Sequence, residues 1–137
     1  MPKNIRECIP IAIEVIEKNL KTRVKDIKAI NSGRHYILTT DKNLNYYMMF
    51  KRAFFNSFGK IFGRGNEVGE SINLEYLDYA LRWKIDAFLF IYEKGHVYTV
   101  PVQEFYDFAN NHNTIRKQHN NIEKTASIPI RLLRRWK

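Results

Sequence analysis

The sequence predicts an α/β protein, a three-layer α/β/α sandwich around a central mixed sheet. Three observations carry this expectation. Apolar residues recur at helical spacing in "IPIAIEVIEKNL" and "SINLEYLDYALRWK", which marks amphipathic helices. Stretches rich in β-branched and aromatic residues, "YILTT", "YYMMF", "IDAFLFIY" and "HVYTVPV", read as strands. The elements follow in the order helix, three strands, helix, two strands, helix, and helices interleaved with strands in this way build layered α/β domains.

Each element has its own warrant. In the first helix Ile9, Ile13, Ile16 and Leu20 line one face and Glu14, Glu17 and Lys18 the other; Pro10 is expected in the first turn, where no N–H is needed. "RVKDIKAIN" alternates through Val24, Ile27 and Ala29 and reads as a strand. "NSGRH" is a turn, and the polar "DKNLN" joins two strands as a hairpin. "FFNSFGKIFGRGNEVG" reads as a glycine-bearing loop, although Phe54, Phe55, Phe58 and Phe62 have the spacing of a short apolar docking segment. The next helix spans Ile72, Leu74, Leu77 and Leu81, with Ser71 or Asn73 as its cap. The continuous run of "IDAFLFIY" predicts a strand covered on both faces. "QEFYDFANN" is a short helix, and "NNHNTIRKQHNN" is a loop.

At 137 residues the chain reads as one domain, 1–137, with a basic C-terminal segment at 114–137. Its 45% apolar and 14% aromatic content is that of a packed globule. No apolar run approaches the roughly 20 residues that cross a bilayer, and Glu7, Glu14 and Glu17 argue against a signal peptide. A cytoplasmic location without a membrane partner is the expectation. The single cysteine, Cys8, permits no intrachain disulfide and is expected in the core.

Lys and Arg number 23 against 14 acids, a formal charge of +9. Such an excess favours a polyanionic partner, DNA first. It is uneven: Lys51, Arg52, Lys60 and Arg64 lie in an acid-free stretch, and the tail holds Arg116, Lys117, Lys124, Arg131, Arg134, Arg135 and Lys137 against Glu123 alone. Arg34, Lys51, Arg52, Lys60 and Arg64 are therefore the expected nucleic-acid contacts. The four histidines have no helical zinc spacing, and "GKIFGRG" is not a phosphate-binding loop of the Gly-Lys-Ser type.

Taken together, the Glu-bearing first helix, the "NSGRH" turn, the hairpin ending in "MFKR" and the late "KIDAFLFIYEKGHVYTVPVQEF" resemble the archaeal Holliday-junction resolvases, within the PD-(D/E)XK, or restriction-endonuclease-like, superfamily. The resemblance covers roughly residues 9–108. It implies a restriction-endonuclease-like fold and a structure-specific DNA endonuclease. Such an enzyme hydrolyses phosphodiesters with Mg²⁺ or Mn²⁺, acts on branched DNA and works as a two-fold homodimer. Carboxylates hold the metal, and a lysine beside them stabilises charge on the phosphate. By this resemblance Lys51, Glu14 and Glu70 are the catalytic candidates, and Glu14, Asp41, Glu67 and Glu70 the metal-ligand candidates.

The sequence departs from the pattern at two central acids. One position falls at His35 or Tyr36 and the other, two before Lys51, at Met49. A thioether does not bind Mg²⁺, which takes hard oxygen ligands. Three readings follow. Acids at Asp41, Glu67 or Glu70 have taken over the metal; or the fold binds DNA without catalysis; or Met49 is a core residue of an ordinary hairpin, in a small basic adaptor or homodimer that meets a protein partner.

Overall fold

The computed structural model describes residues 1–52, 68–112, 115–117 and 124–137. Its centre is a six-stranded mixed sheet in the order β1-β2-β3-β5-β6-β9, built from β1 (Val24–Ile30), β2 (His35–Thr40), β3 (Asn45–Lys51), β5 (Ala87–Tyr92), β6 (Val97–Pro101) and β9 (Arg134–Arg135). Neighbouring strands run antiparallel except β3 and β5, which are parallel, with Tyr46 beside Ala87 and Lys51 beside Tyr92. A second, three-stranded sheet, β4-β8-β7, is formed by β4 (Val68–Asn73), β7 (Ile115–Lys117) and β8 (Lys124–Pro129). The helices are α1 (Ile5–Leu20), α2 (Leu74–Arg82) and α3 (Val102–Asn111). This is the α/β sandwich with a central mixed sheet that the element order predicts.

Alternation along the strands sorts the core into two layers. Even-numbered residues of β2 and β3, Leu38, Tyr46 and Met48, join Leu89 and Ile91 against Cys8, Ala12, Val15 and Ile16 of α1. Odd-numbered residues, Ile37, Tyr47 and Met49, join Phe88, Phe90 and Tyr92 against Leu77 and Ala80 of α2 and Phe105, Phe108 and Ala109 of α3. Ile72, Ala126 and Ile128 of the second sheet complete this second layer. All six residues of β5 are buried, as a strand flanked by β3 and β6 and covered on both faces requires. Met49, at 2% exposure, packs in the second layer, and Cys8 is fully buried in the first.

Local chemistry sets the element ends, and four sequence expectations change. Asn4 caps α1: its side-chain Oδ1 accepts from the Glu7 backbone N–H at 3.0 Å, and its side-chain Nδ2 donates to Glu7 Oε2 at 3.0 Å. The helix thus starts at Ile5, and Pro10 is its sixth residue and not in the first turn. Pro10 has no N–H to offer the Arg6 carbonyl, and it sits on the exposed side of the helix. Asn73, and not Ser71, caps α2, accepting from the Glu75 amide at 3.1 Å. Ser71 and Ile72 belong to β4, because their backbone pairs with Ser127 and Ala126 of β8. Val68 and Gly69, expected in a loop, begin that strand, and residues 115–117, also expected in a loop, form β7. The partner that stabilises both is β8, inside the tail where charge was the only signal. The aromatic segment from Phe54 to Phe62 lies outside the described residues.

Among the described residues no helix is long and apolar enough to cross a membrane.

Candidate functional site

The carboxyl ends of the parallel strands β3 and β5 bring Lys51 and Tyr92 into register on the second-layer face. In open α/β sheets this end of the strands is where ligands bind. Strand β4 crosses there and delivers Glu70, after an irregularity in its pairing with β8 between Val68 and Glu70. Gly69 makes the crossing possible: a Cβ at this position would stand 2.7 Å from the Ile130 backbone nitrogen.

Lys51 Nζ sits 3.3 Å from Glu70 Oε1, with the lysine side chain 23% and the glutamate side chain 3% exposed. The same ammonium donates to the Ser71 carbonyl at 3.2 Å and lies 5.8 Å from the centre of the Phe90 ring. Two of its three N–H donors are thereby engaged, and the side chain keeps partial exposure. Glu70 Oε1 also accepts from the Ser71 amide at 3.0 Å, and Oε2 from the Tyr92 hydroxyl at 2.7 Å. The carboxylate is desolvated, with both oxygens hydrogen-bonded or paired, the condition under which a buried charge is tolerated. Burial and then Glu70 hold the Tyr92 hydroxyl well above the ordinary phenol range, so it remains a donor.

His35 stands at one of the positions where the nuclease pattern has an acid. It is 9% exposed, and its Nδ1 is 2.8 Å from the Tyr47 hydroxyl and 3.4 Å from the Asn31 side-chain nitrogen. Burial first, then the charges of Lys51 and Arg34, lower its pKa to about 4, so the ring is neutral at pH 7. The residues before it, Asn31, Ser32 and Gly33, have φ of 50°, 56° and 81°. This left-handed turn is costly for the two non-glycine residues, and it ends on the exposed Arg34, whose N–H closes onto the Asn31 carbonyl at 3.1 Å.

Of the acids expected around Lys51, Glu70 is the only one there among the described residues. Glu14 lies on α1, which packs on the opposite face of the sheet; it is exposed and pairs with Lys137 at 3.9 Å. Asp41 follows β2 at the far end of the hairpin, about 20 Å from Lys51 by the length of β3, and its amide donates to the Arg23 carbonyl. The expected approach of Glu14 and Asp41 to Lys51 is therefore corrected: helix packing and the hairpin direction carry both away. Glu67, Lys60 and Arg64 lie outside the described residues. Arg52 is exposed, 5.9 Å from the centre of the Phe50 ring. Sequence reasoning missed Tyr92 as the partner of Glu70; a polar-tipped aromatic ending a wholly buried run was its signal.

The Mg²⁺ that the nuclease resemblance implies is not matched by these residues. No group of three His, Cys, Asp or Glu suited to a metal occurs among the described residues, and both oxygens of Glu70 are already bonded. What the arrangement offers is a cation fixed at a strand end, with the exposed Arg52 next to it in sequence and the exposed Arg34 sharing with Lys51 an electrostatic effect on His35.

A solved structure, a nuclease from a fusselovirus, is similar to this chain, with a TM-score of 0.50 over 93% of this chain and 80% of that one, at 12% identity. At that identity the likeness is one of fold, and the mixed α/β architecture is nuclease-like. No protein-family model matches the sequence, and a search of curated proteins found no match.

Proposed function

We propose that this chain is a nucleic-acid-binding protein of nuclease-like fold. In this reading Lys51, Arg34 and Arg52 contact phosphates at the carboxyl end of β3, and Glu70 orients the lysine. The observation that carries the proposal is the Lys51–Glu70 pair at 3.3 Å at the carboxyl end of two parallel strands, in a chain of charge +9. Phosphate contacts release counterions, so the affinity falls steeply with salt. They also carry no base information.

Glu70 itself favours a second reading, in which the acid missing at Met49 is supplied from β4 and the protein cuts DNA with Mg²⁺ or Mn²⁺. The resemblance to Holliday-junction resolvases extends either reading to branched DNA and to a two-fold homodimer. We favour binding because the described residues bring one carboxylate to Lys51, while divalent-metal nucleases hold their ions with more.

One experiment separates the readings. Labelled duplex, single-stranded and four-way-junction DNA are titrated with the protein across a salt series and then incubated with Mg²⁺ or Mn²⁺. Binding without cutting, weakened in Lys51→Ala, supports the first reading. Cutting that disappears in Glu70→Gln establishes the second. Absence of binding at low salt overturns both. Sedimentation at micromolar concentration tests the homodimer.

A further inference from the structure

Beside His35 the second-layer face opens into a cavity of about 230 Å³ lined by Ile30, Asn31, Tyr47, Glu75, Tyr76 and Tyr79. The phosphate-contact proposal does not use it. Tyr47 is its deepest wall, 1% exposed, and the hydrogen bond to His35 holds its hydroxyl. Tyr79 meets Tyr47 edge-on, with ring centres 5.9 Å apart. Tyr76 lies 6.4 Å from Tyr47 and edge-on to His35 at 4.5 Å. Besides the tyrosine hydroxyls, the polar residues of the lining are Glu75, exposed at the start of α2, and Asn31, whose side-chain nitrogen lies 3.4 Å from His35 Nδ1, on the left-handed turn that leads to Arg34.

The chemistry selects an occupant. An apolar cavity of about 150 Å³ holds one benzene ring, so this one has room for a fused two-ring system. Tyrosine walls favour a flat π-system. A carboxylate among the lining residues repels phosphate and accepts N–H donors. Arg34, three residues along the turn from Asn31, is an exposed cation on the same turn. We infer that the cavity receives an unstacked nucleobase carrying an amino group, with guanine preferred, because guanine alone presents two adjacent N–H donors, N1–H and N2–H, to one carboxylate. The backbone phosphate then lies toward Arg34.

The inference deepens the nucleic-acid reading and rests on it for its biological sense, but it has its own test. The probes are guanosine, cytidine and uridine monophosphates, ribose 5-phosphate and choline, followed by amide shifts in NMR and by calorimetry. Guanosine monophosphate is expected to move the Asn31, Tyr76 and Tyr79 signals and to bind roughly tenfold tighter than uridine monophosphate, in keeping with the discrimination that a bidentate hydrogen bond to a base edge provides. Ribose 5-phosphate leaves those signals unmoved. Glu75→Gln, at an exposed position, removes the guanine preference. Tyr79→Leu, which keeps the cavity filled but takes away a π-face, weakens all bases alike.

Duplex DNA that binds with steep salt dependence while no nucleotide moves the cavity signals overturns this inference and leaves the broader reading standing. Guanosine monophosphate bound in the cavity by a protein with no affinity for DNA supports the inference and overturns the broader reading. Choline binding in place of the nucleotides overturns the inference, identifying the cavity as a cage for organic cations.

Discussion

Lys51→Met is the perturbation with the most definite consequence. It keeps most of the aliphatic stem and removes the ammonium, which lies 3.3 Å from Glu70 Oε1 and 5.8 Å from the centre of the Phe90 ring. At that distance the gross attraction is about 5 kcal/mol for an effective dielectric of about 20. Breaking a deeply buried pair costs about 3–5 kcal/mol. Here the lysine is 23% exposed and Glu70 keeps its bonds to Tyr92 and the Ser71 amide, so water replaces part of what is lost and about 2 kcal/mol is expected. Glu70→Gln should cost about 1–2 kcal/mol. In the double variant no buried charge is left unpaired, so its cost falls short of the sum of the singles by about 1 kcal/mol or more. Urea unfolding of the parent and the three variants gives this coupling directly. Singles that add within about 0.5 kcal/mol would refute the claim that Glu70 holds the lysine.

The remaining predictions concern other parts of the fold. His35 has a folded pKa of about 4 against an ordinary 6.5, so the unfolded chain takes up the proton first. Its contribution is intact above pH 6.5 and is lost as the pH falls toward 4, by about 3 kcal/mol in all; urea midpoints of the parent should drop across that window, and those of His35→Asn should drop less. The Cys8 thiol is fully buried and pushed up to about 12, by burial first and then by Glu7; a thiol reagent at pH 8 should label the protein only after denaturation. Gly69→Ala puts a Cβ 2.7 Å from the Ile130 backbone nitrogen and should cost about 1–3 kcal/mol in unfolding experiments, with weaker DNA binding because Glu70 is displaced with its strand.

The sheet was legible in the sequence because its signals are local. The unbroken apolar run of Ala87–Tyr92 announces a strand covered on both faces, and the alternation in β2 and β3 sorts Leu38 and Met48 from Ile37 and Met49. The three-stranded sheet was not legible. Ser71 and Ile72 continue the apolar spacing of α2, and only pairing with Ser127 and Ala126, more than 50 positions away, makes them strand. The site divides in the same way. Lys51 at a strand end was readable, and Glu70 was one of several acids close enough in sequence to reach it. That Glu14 faces the other layer follows from which sheet face α1 covers, and spacing along one helix carries no such information. Tyr92 and His35 gain their roles from cross-strand neighbours.

The central claim is that Lys51 meets phosphate. It is tested most directly by the slope of log affinity against log salt for duplex DNA, in the parent and in Lys51→Ala. The account predicts a steep parent slope that becomes shallower by about one unit in the variant, as the loss of one phosphate contact requires. A parent affinity insensitive to salt, or the same slope in both proteins, would contradict it.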